Sequence, residues 1–144
     1  MSTVAQLLAR KPKGLQLLSI DPESPVLDAI RLMAEHGIGA LLVMQGAKLA
    51  GIVSERDYAR KVILKGRSSS DTPVSQIMTA SVTTVRPNQS AQECMSLMTN
   101  GHFRHLPVLE GERVIGMLSI GDLVRAVLEE QQHTIEQLET YIRS

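Results

Sequence analysis

Apolar and polar positions along this chain fall into an order of short blocks, and that order occurs twice. Leu15–Ile20 is a brief apolar run closed by Asp21-Pro22, and Val82–Val85 is another closed by Arg86-Pro87. Proline after such a run stops a strand and fixes a turn. Ser24-Pro25 then offers an N-cap with proline at the first helical position. Val26, Ile30 and Met33, flanked by Leu27, Ala29 and Ala34, follow at helical spacing; Ala91, Cys94, Met95 and Met98 repeat the stripe. Gly37 is expected to end the first of these helices and Asn100-Gly101 the second, as left-handed C-terminal residues.

Ala40–Met44 and Leu106–Leu109 come next, each followed by a turn containing Gly46 or Gly111, and Leu49–Ser54 and Val114–Ser119 complete two hairpins. Their almost unbroken apolarity implies burial on both faces. Helices are expected after the two serines, over Arg56–Lys65 and from Gly121 to about Tyr141. Val74–Met78 reads as one helical turn introducing the second set of blocks, matching a short helix at Val4–Arg10.

Sliding the sequence against itself by 65 residues, without a gap, aligns Ile20–Ile63 with Val85–Leu128. Identical pairs include Pro22/Pro87, Leu32/Leu97, Met33/Met98, Val43/Val108, Gly46/Gly111, Gly51/Gly116, Ser54/Ser119, Asp57/Asp122, Arg60/Arg125 and Val62/Val127. The chain is therefore a duplicated β-α-β-β-α unit, of α/β (α+β) class. Residues 1–65 read as the first repeat with its leading helix, 66–73 as a serine-rich linker, and 74–144 as the second repeat with an extended C-terminal helix. So small a unit cannot cover both faces of its own sheet. The two are expected to pack sheet to sheet with pseudo-two-fold symmetry, leaving a cleft for each repeat where they meet.

Composition narrows the chemistry. Fifteen basic residues balance fifteen acidic ones, which lacks the basic excess of a nucleic-acid binder. Aromatics are confined to Tyr58, Phe103 and Tyr141, so a planar ligand would lie between aliphatic side chains. The lone cysteine, Cys94, falls on the apolar side of a helix and reads as a buried, inert thiol. Arg10, Lys11 and Lys13 stand near the N-terminus without an acid, a faint echo of a transit peptide. Val4, Leu7 and Leu8 make a short amphipathic helix the better reading. No apolar run approaches a membrane span, and the expected location is cytoplasmic.

Candidate chemistry collects at the repeated string Gly-apolar-apolar-Ser-x-x-Asp, Gly51–Asp57 and Gly116–Asp122. Serine at the N-cap with an acid three residues on can simply close the orphan amides of a helix. Equally, the pair can present a hydroxyl and a carboxylate to a ligand, with a side-chain-free glycine behind allowing close approach. Arg56 lies inside the first string, and His102-Phe103-Arg104-His105 precedes the second hairpin where the first copy has Gly37-Ile38-Gly39-Ala40. The two clefts should thus be chemically unequal, and the second copy is expected to be the better phosphate site. No nucleophile–base pair, metal-ligand set or paired acids at helical spacing points to an enzyme.

The repeat resembles the cystathionine-beta-synthase (CBS) domain, and the whole chain resembles a tandem CBS pair, or Bateman module, of the stand-alone type. The resemblance rests on Ile77-Met78-Thr79, on Arg104-His105-Leu106-Pro107-Val108, and on both Gly-x-x-Ser-x-x-Asp strings. It implies ligand sensing: binding of AMP, ATP or another adenosine compound such as NAD(H) or S-adenosylmethionine between the repeats. By this resemblance Asp57 and Asp122 accept from ribose hydroxyls, and Ser54 and Ser119 donate to phosphate. Arg56, Arg104 and His105 neutralise it, while the adenine lies between aliphatic walls, reached by the backbones of Gly39, Ala40, Leu106 and Pro107 and by Met78 and Thr79. It also implies an antiparallel homodimer, for which Leu123, Val124, Val127, Leu128, Ile135, Leu138 and Ile142 supply apolar surface, and an unidentified regulated protein. The competing reading is a ligand-free structural or dimerisation module in which Ser-x-x-Asp only caps helices.

Overall fold

The computed structural model describes residues 2–11 and 17–143. Leu15 and Gln16 of the first expected strand, and the basic Lys13, lie outside the described residues. Helix α1 (Val4–Ala9) is followed by strand β1 (Ser19–Ile20), helix α2 (Val26–His36), and the hairpin of β2 (Ala40–Gln45) and β3 (Lys48–Ser54). Helix α3 (Glu55–Tyr58) runs into a π-helical turn, Ala59–Ile63, where a uniform helix is expected from the pattern. A 3-10 turn (Val74–Gln76) opens the second half. There α4 (Ala91–Gly101) precedes the hairpin of β4 (His105–Glu110) and β5 (Arg113–Ser119), and α5 (Ile120–Arg143) closes the chain.

The duplication is visible in the hydrogen-bond register. Ile20 pairs in parallel with Val43, and Val85 pairs in parallel with Val108, one repeat length further on. Both hairpins are antiparallel and carry an irregularity at equivalent points, Val43/Met44 and Val108/Leu109. The expected strand Val82–Val85 shrinks to the single bridge at Val85. Its physical reason is the other use of Val82, which turns away to pack against the layer between the two hairpins.

Each hairpin is indeed covered on both faces. Leu41, Val43 and Val53 pack with Val26, Ala29 and Met33 of α2. On the opposite face Ala40, Leu42 and Ile52 meet Val114 and Met117 of the second hairpin, so the repeats pack sheet to sheet. The third cluster joins Cys94 and Met98 of α4 to Leu106, Val108, Leu118 and Leu123. Leu123, expected on a dimer face, is instead part of this core. Cys94 is buried there; desolvation first, then the charge of Glu93, pushes its thiol up to about 11. That is an inert sulfur.

The leading segments exchange places. Val4, Leu7 and Leu8 of α1 pack in the second repeat's core, whereas Val74 and Ile77 pack in the first repeat's core. Matching backbone bonds hold both. Val26 N donates to Thr72 O (2.8 Å) and Val74 N to Ser24 O (2.9 Å); Ala91 N donates to Ser2 O (2.9 Å) and Val4 N to Gln89 O (2.8 Å). These bonds satisfy first-turn amides that a helix cannot satisfy itself. The N-cap of α2 is Pro25, whose side chain cannot accept, and its second amide, Leu27 N, donates to Ser69 O (3.0 Å) instead, with Val26 as the first residue. Ser90 caps α4 in the usual way, reciprocally with Glu93.

Two positions at the second helix end also depart from expectation. The left-handed residue after α4 is His102 (φ 59°), the equivalent of Gly37 (φ 63°), while Gly101 stays helical. The space beside Gly101 holds the Phe103 ring, which would have to move to admit a side chain there. Gly51 has a similar role. Ile52 and Thr79 exchange backbone bonds of 3.0 and 2.8 Å, and a Cβ on Gly51 would lie 2.5 Å from Thr79 O. The open space behind the first motif is thus filled by backbone. Gly51→Ala is expected to destabilise the fold by roughly 1–3 kcal/mol, the range for overpacking. A lower urea midpoint at unchanged m-value would register it; an unchanged midpoint would mean that the Thr79 strand yields freely.

Candidate functional site

Both Ser-x-x-Asp strings sit where a buried strand turns into a helix, and both form the reciprocal cap. Asp57 N donates to Ser54 Oγ (3.1 Å), and Ser54 N and Oγ both donate to Asp57 Oδ2 (3.0 Å each). In the second copy Asp122 N donates to Ser119 Oγ (3.2 Å) and Ser119 N to Asp122 Oδ2 (2.8 Å). One helix amide further back is closed by the pre-hairpin loop of the same repeat: Glu55 N bonds Gly39 O (3.0 Å) and Ile120 N bonds Arg104 O (2.9 Å). The cap reading is therefore realised in full, and what distinguishes the motifs is what each carboxylate faces.

The motif of each repeat opens on a cleft shared with the other. Ser54, Arg56, Asp57, Arg60 and Lys61 line a cavity of about 1050 Å³ together with Thr79, Ser81 and the loop His102–His105. Ser119, Asp122 and Arg125 line a smaller one of about 540 Å³ with Arg10 and Lys11 of the N-terminal segment and the loop His36–Ala40. The basic loop of the second repeat thus faces the first repeat's motif. Expecting the second copy to be the phosphate site had joined Arg104 to Asp122; the pseudo-two-fold joins it to Asp57.

Electrostatics separate the clefts further. Asp122 accepts Lys11 Nζ (3.0 Å) on Oδ2 and Arg125 (2.7 Å) on Oδ1, and Lys11 Nζ also donates to Met117 O (2.8 Å). Burial pushes the Asp122 pKa upward, but the Ser119 amide and Lys11 outweigh it and hold the carboxyl below its ordinary range. Arg10 is bound to Glu129 (3.1 Å). In the larger cleft Lys61 pairs with Asp57 Oδ1 (3.2 Å) and donates to Ile77 O (2.9 Å). His105 lines both clefts, and Gly39 does too. Burial first, then the charge of Lys11, brings His105 down from 6.5 to about 4, although Asp122 opposes the change. His105 is consequently a neutral imidazole at pH 7 and not the cation expected from the sequence.

Of the other expected site residues, Thr79 lines the larger cleft and Ala40 the smaller. Leu106 is fully buried in the second core, Pro107 is buried beside it, and Met78 packs in the first core; none of the three lines either cleft. Lys11, Arg60, Lys61 and Arg125 were not singled out as site residues. Lys61 and Arg125 carry a readable signal, standing four and three residues after their aspartates on a helix. Lys11 carries none, because its place depends on the exchange of leading segments.

Comparison with known proteins agrees with this architecture. The sequence model of the CBS domain matches the chain twice, over residues 4–64 and 74–129. The CBS domain-containing protein CBSX3, mitochondrial, of Arabidopsis thaliana is 40% identical over 149 residues, covering 99% of this chain and 72% of that one. A solved protein with CBS domains from Burkholderia ambifaria MC40-6 is 56% identical, with a TM-score of 0.86 over 90% of this chain and 96% of the other. The CBS domain pair of protein MJ0100, in complex with 5-methylthioadenosine and S-adenosyl-L-methionine, shares the fold: TM-score 0.78, 20% identity, 90% and 98% coverage.

The neutral His105 makes stability depend on pH. Its folded pKa of about 4 lies below the unfolded 6.5, so the unfolded chain binds more protons between these values. Stability from this group is then complete above pH 6.5 and falls as the pH drops toward 4. His105→Gln should flatten that part of the profile, measured as urea midpoints at pH 7.5 and pH 5. An unaltered slope would assign the loss to other groups.

Proposed function

This chain belongs to the CBS domain family, and we propose that it is a regulatory module that senses adenine nucleotides. The ligand is an adenosine compound, AMP or ATP or a relative such as NAD(H) or S-adenosylmethionine, taken into the clefts between the repeats. One observation carries the reading: each cleft combines an ionised or cation-paired aspartate from one repeat with the pre-hairpin loop of the other. A ligand seated there touches both halves at once. It can therefore bias their arrangement, by as much as its affinity differs between the two states.

The chemistry of the parts suits a nucleotide. A carboxylate held by its own helix cap is a fixed acceptor for the vicinal hydroxyls of ribose. Lys61 and Arg125 are the exchangeable partners that such a diol replaces. Ile52, Val82 and Ile120 offer the larger cleft an aliphatic wall for adenine, and Ile38, Ala40 and Met117 do so in the smaller one. The backbones of Gly39, Ala40, Leu106 and Pro107, with Met78 and Thr79, reach the adenine edge in this reading, and His105 acts as a neutral hydrogen-bonding group while arginines meet the phosphate. The adenosine compounds in the MJ0100 pair support the ligand class.

Catalysis has no part in this reading; the output passes to a separate protein. Val124, Leu128, Ile135, Leu138 and Ile142 are exposed along α5 and support a homodimer. Among the described residues no helix is long and apolar enough to cross a membrane, and the reading places the module in the cytoplasm. AMP, ATP and NADH at millimolar concentration are expected to raise the melting temperature. A hundred-fold excess over Kd is worth about 2.7 kcal/mol. Asp57→Ala and Asp122→Ala should each remove part of the shift. If the panel moves nothing, the ligand-free dimerisation module is the function that remains.

A further inference from the structure

The two clefts differ in how much of their positive charge is already spent. Among the described residues three cationic side chains line the smaller one, and all are paired, with two carboxylates between them. Arg10 is with Glu129 at 3.1 Å, Lys11 with Asp122 at 3.0 Å, and Arg125 with Asp122 at 2.7 Å. The Lys11 pair is also largely screened from water, with side chains 18% and 9% exposed. Among the described residues four cationic side chains line the larger cleft beside two carboxylates, Glu55 and Asp57, and only Lys61 is paired, with Asp57. Arg56, Arg60 and Arg104 have neither an ion pair nor a side-chain hydrogen bond among the described residues. Arg56 and Arg60 are one turn apart on the same helical segment, and Arg104 comes from the opposite repeat.

Guanidinium groups are planar forks that bind phosphate oxygens two at a time. Three of them converging without partners on one cavity form an anion site wider than one phosphate needs. The larger cavity has about 1050 Å³ against about 540 Å³, which leaves room for a chain of phosphates beside a nucleoside. In the smaller cleft an added anion would have to draw Lys11 away from Asp122 and leave a largely buried carboxylate short of a partner. Taking one member from such a pair is strongly unfavourable.

Resting on the nucleotide-sensing reading above, we propose that the clefts sort adenosine ligands by charge. The larger takes a nucleoside with a di- or triphosphate chain through Arg56, Arg60 and Arg104. The smaller takes an adenosine compound without a phosphate chain, because Lys11 is held by Asp122 and Arg10 by Glu129. Arg60 and Lys11 thereby become specificity-determining residues. Arg104 changes from a residue of the second motif to the cross-repeat member of a three-arginine site.

The test is calorimetric titration of the full chain with ATP and, separately, adenosine, for the wild type, Arg60→Gln and Arg104→Gln. These arginines are exposed, so the variants are expected to fold, which circular dichroism checks. ATP should bind at one site per chain, and each variant should weaken it roughly ten-fold, as for loss of a charge-assisted hydrogen bond. Adenosine affinity should stay within about two-fold in both variants, and added salt should weaken ATP but not adenosine. ATP bound at two equivalent sites per chain, or an equal loss of ATP and adenosine in the variants, would overturn the sorting while leaving nucleotide sensing in place. Binding of neither compound would overturn both.

Discussion

Everything in this molecule depends on two hairpins that are apolar on both faces. Leu41, Val43 and Val53 are consumed by the helices of the first repeat. Ala40, Leu42 and Ile52 then have no cover except the other hairpin, through Val114 and Met117. That second layer fixes the pseudo-two-fold, and the pseudo-two-fold puts the end of β3 opposite the loop that leads into β4. The clefts follow from satisfying hydrophobic surface, before any ligand is considered. The exchange of leading segments strengthens the arrangement, since the first amides of α2 and α4 find acceptors at Thr72 and Ser2. Each repeat completes a helix start with backbone from outside its own β-α-β-β-α unit.

Much of this was legible because a duplication carries its own registration. The offset of 65 residues predicts that Val85 meets Val108 as Ile20 meets Val43, and the ladders repeat even their irregularities. What an offset cannot convey is which copy's loop faces which copy's motif. Arg104 is close to Ser119 in sequence, and its backbone carbonyl does bond Ile120, but its side chain opens on the cleft of Asp57. Contacts across a symmetry axis leave no periodicity behind. The same holds for Lys11, which reaches Asp122 only because α1 is packed in the second repeat. The helix end at His102 was misread for a local reason. Glycine marks a left-handed residue only when nothing else uses the space of its missing side chain, and at Gly101 the Phe103 ring occupies that space.

The opposition between a helix cap and a ligand grip dissolves once the oxygens are assigned. In both motifs Oδ2 of the aspartate accepts the serine amide, which belongs to the cap and is worth about 1 kcal/mol in such settings. Oδ1 is held by a side chain, Lys61 or Arg125, at helical spacing. Exposed pairs of that spacing are worth only about 0.3–0.5 kcal/mol. Cap and acceptor thus share one carboxylate without competing. The cap orients the group, and the weak ion pair keeps its free oxygen in reserve.

Lys11 breaks the equivalence of the two motifs. It adds a third partner to Asp122 on the oxygen already used by the cap, in a place that water reaches poorly. Each lysine is also tied to a backbone carbonyl, Lys61 to Ile77 O and Lys11 to Met117 O; they differ in exposure, 44% against 18%, so Lys61 is the freer to swing into solvent when Asp57 finds another donor. Lys11 follows directly on from α1, whose Val4 and Leu7 are part of the second core. Disturbing the Lys11–Asp122 pair therefore pulls on a segment that also supplies the Ser2 carbonyl to the start of α4. One copy of the motif presents a carboxylate with a replaceable partner, whereas the other has been built into the structure that holds the repeats together. The two copies of the motif thus differ through Lys11, which lies outside the aligned repeat, as well as through Arg56 and Arg104, which stand where the other copy has Gly121 and Gly39.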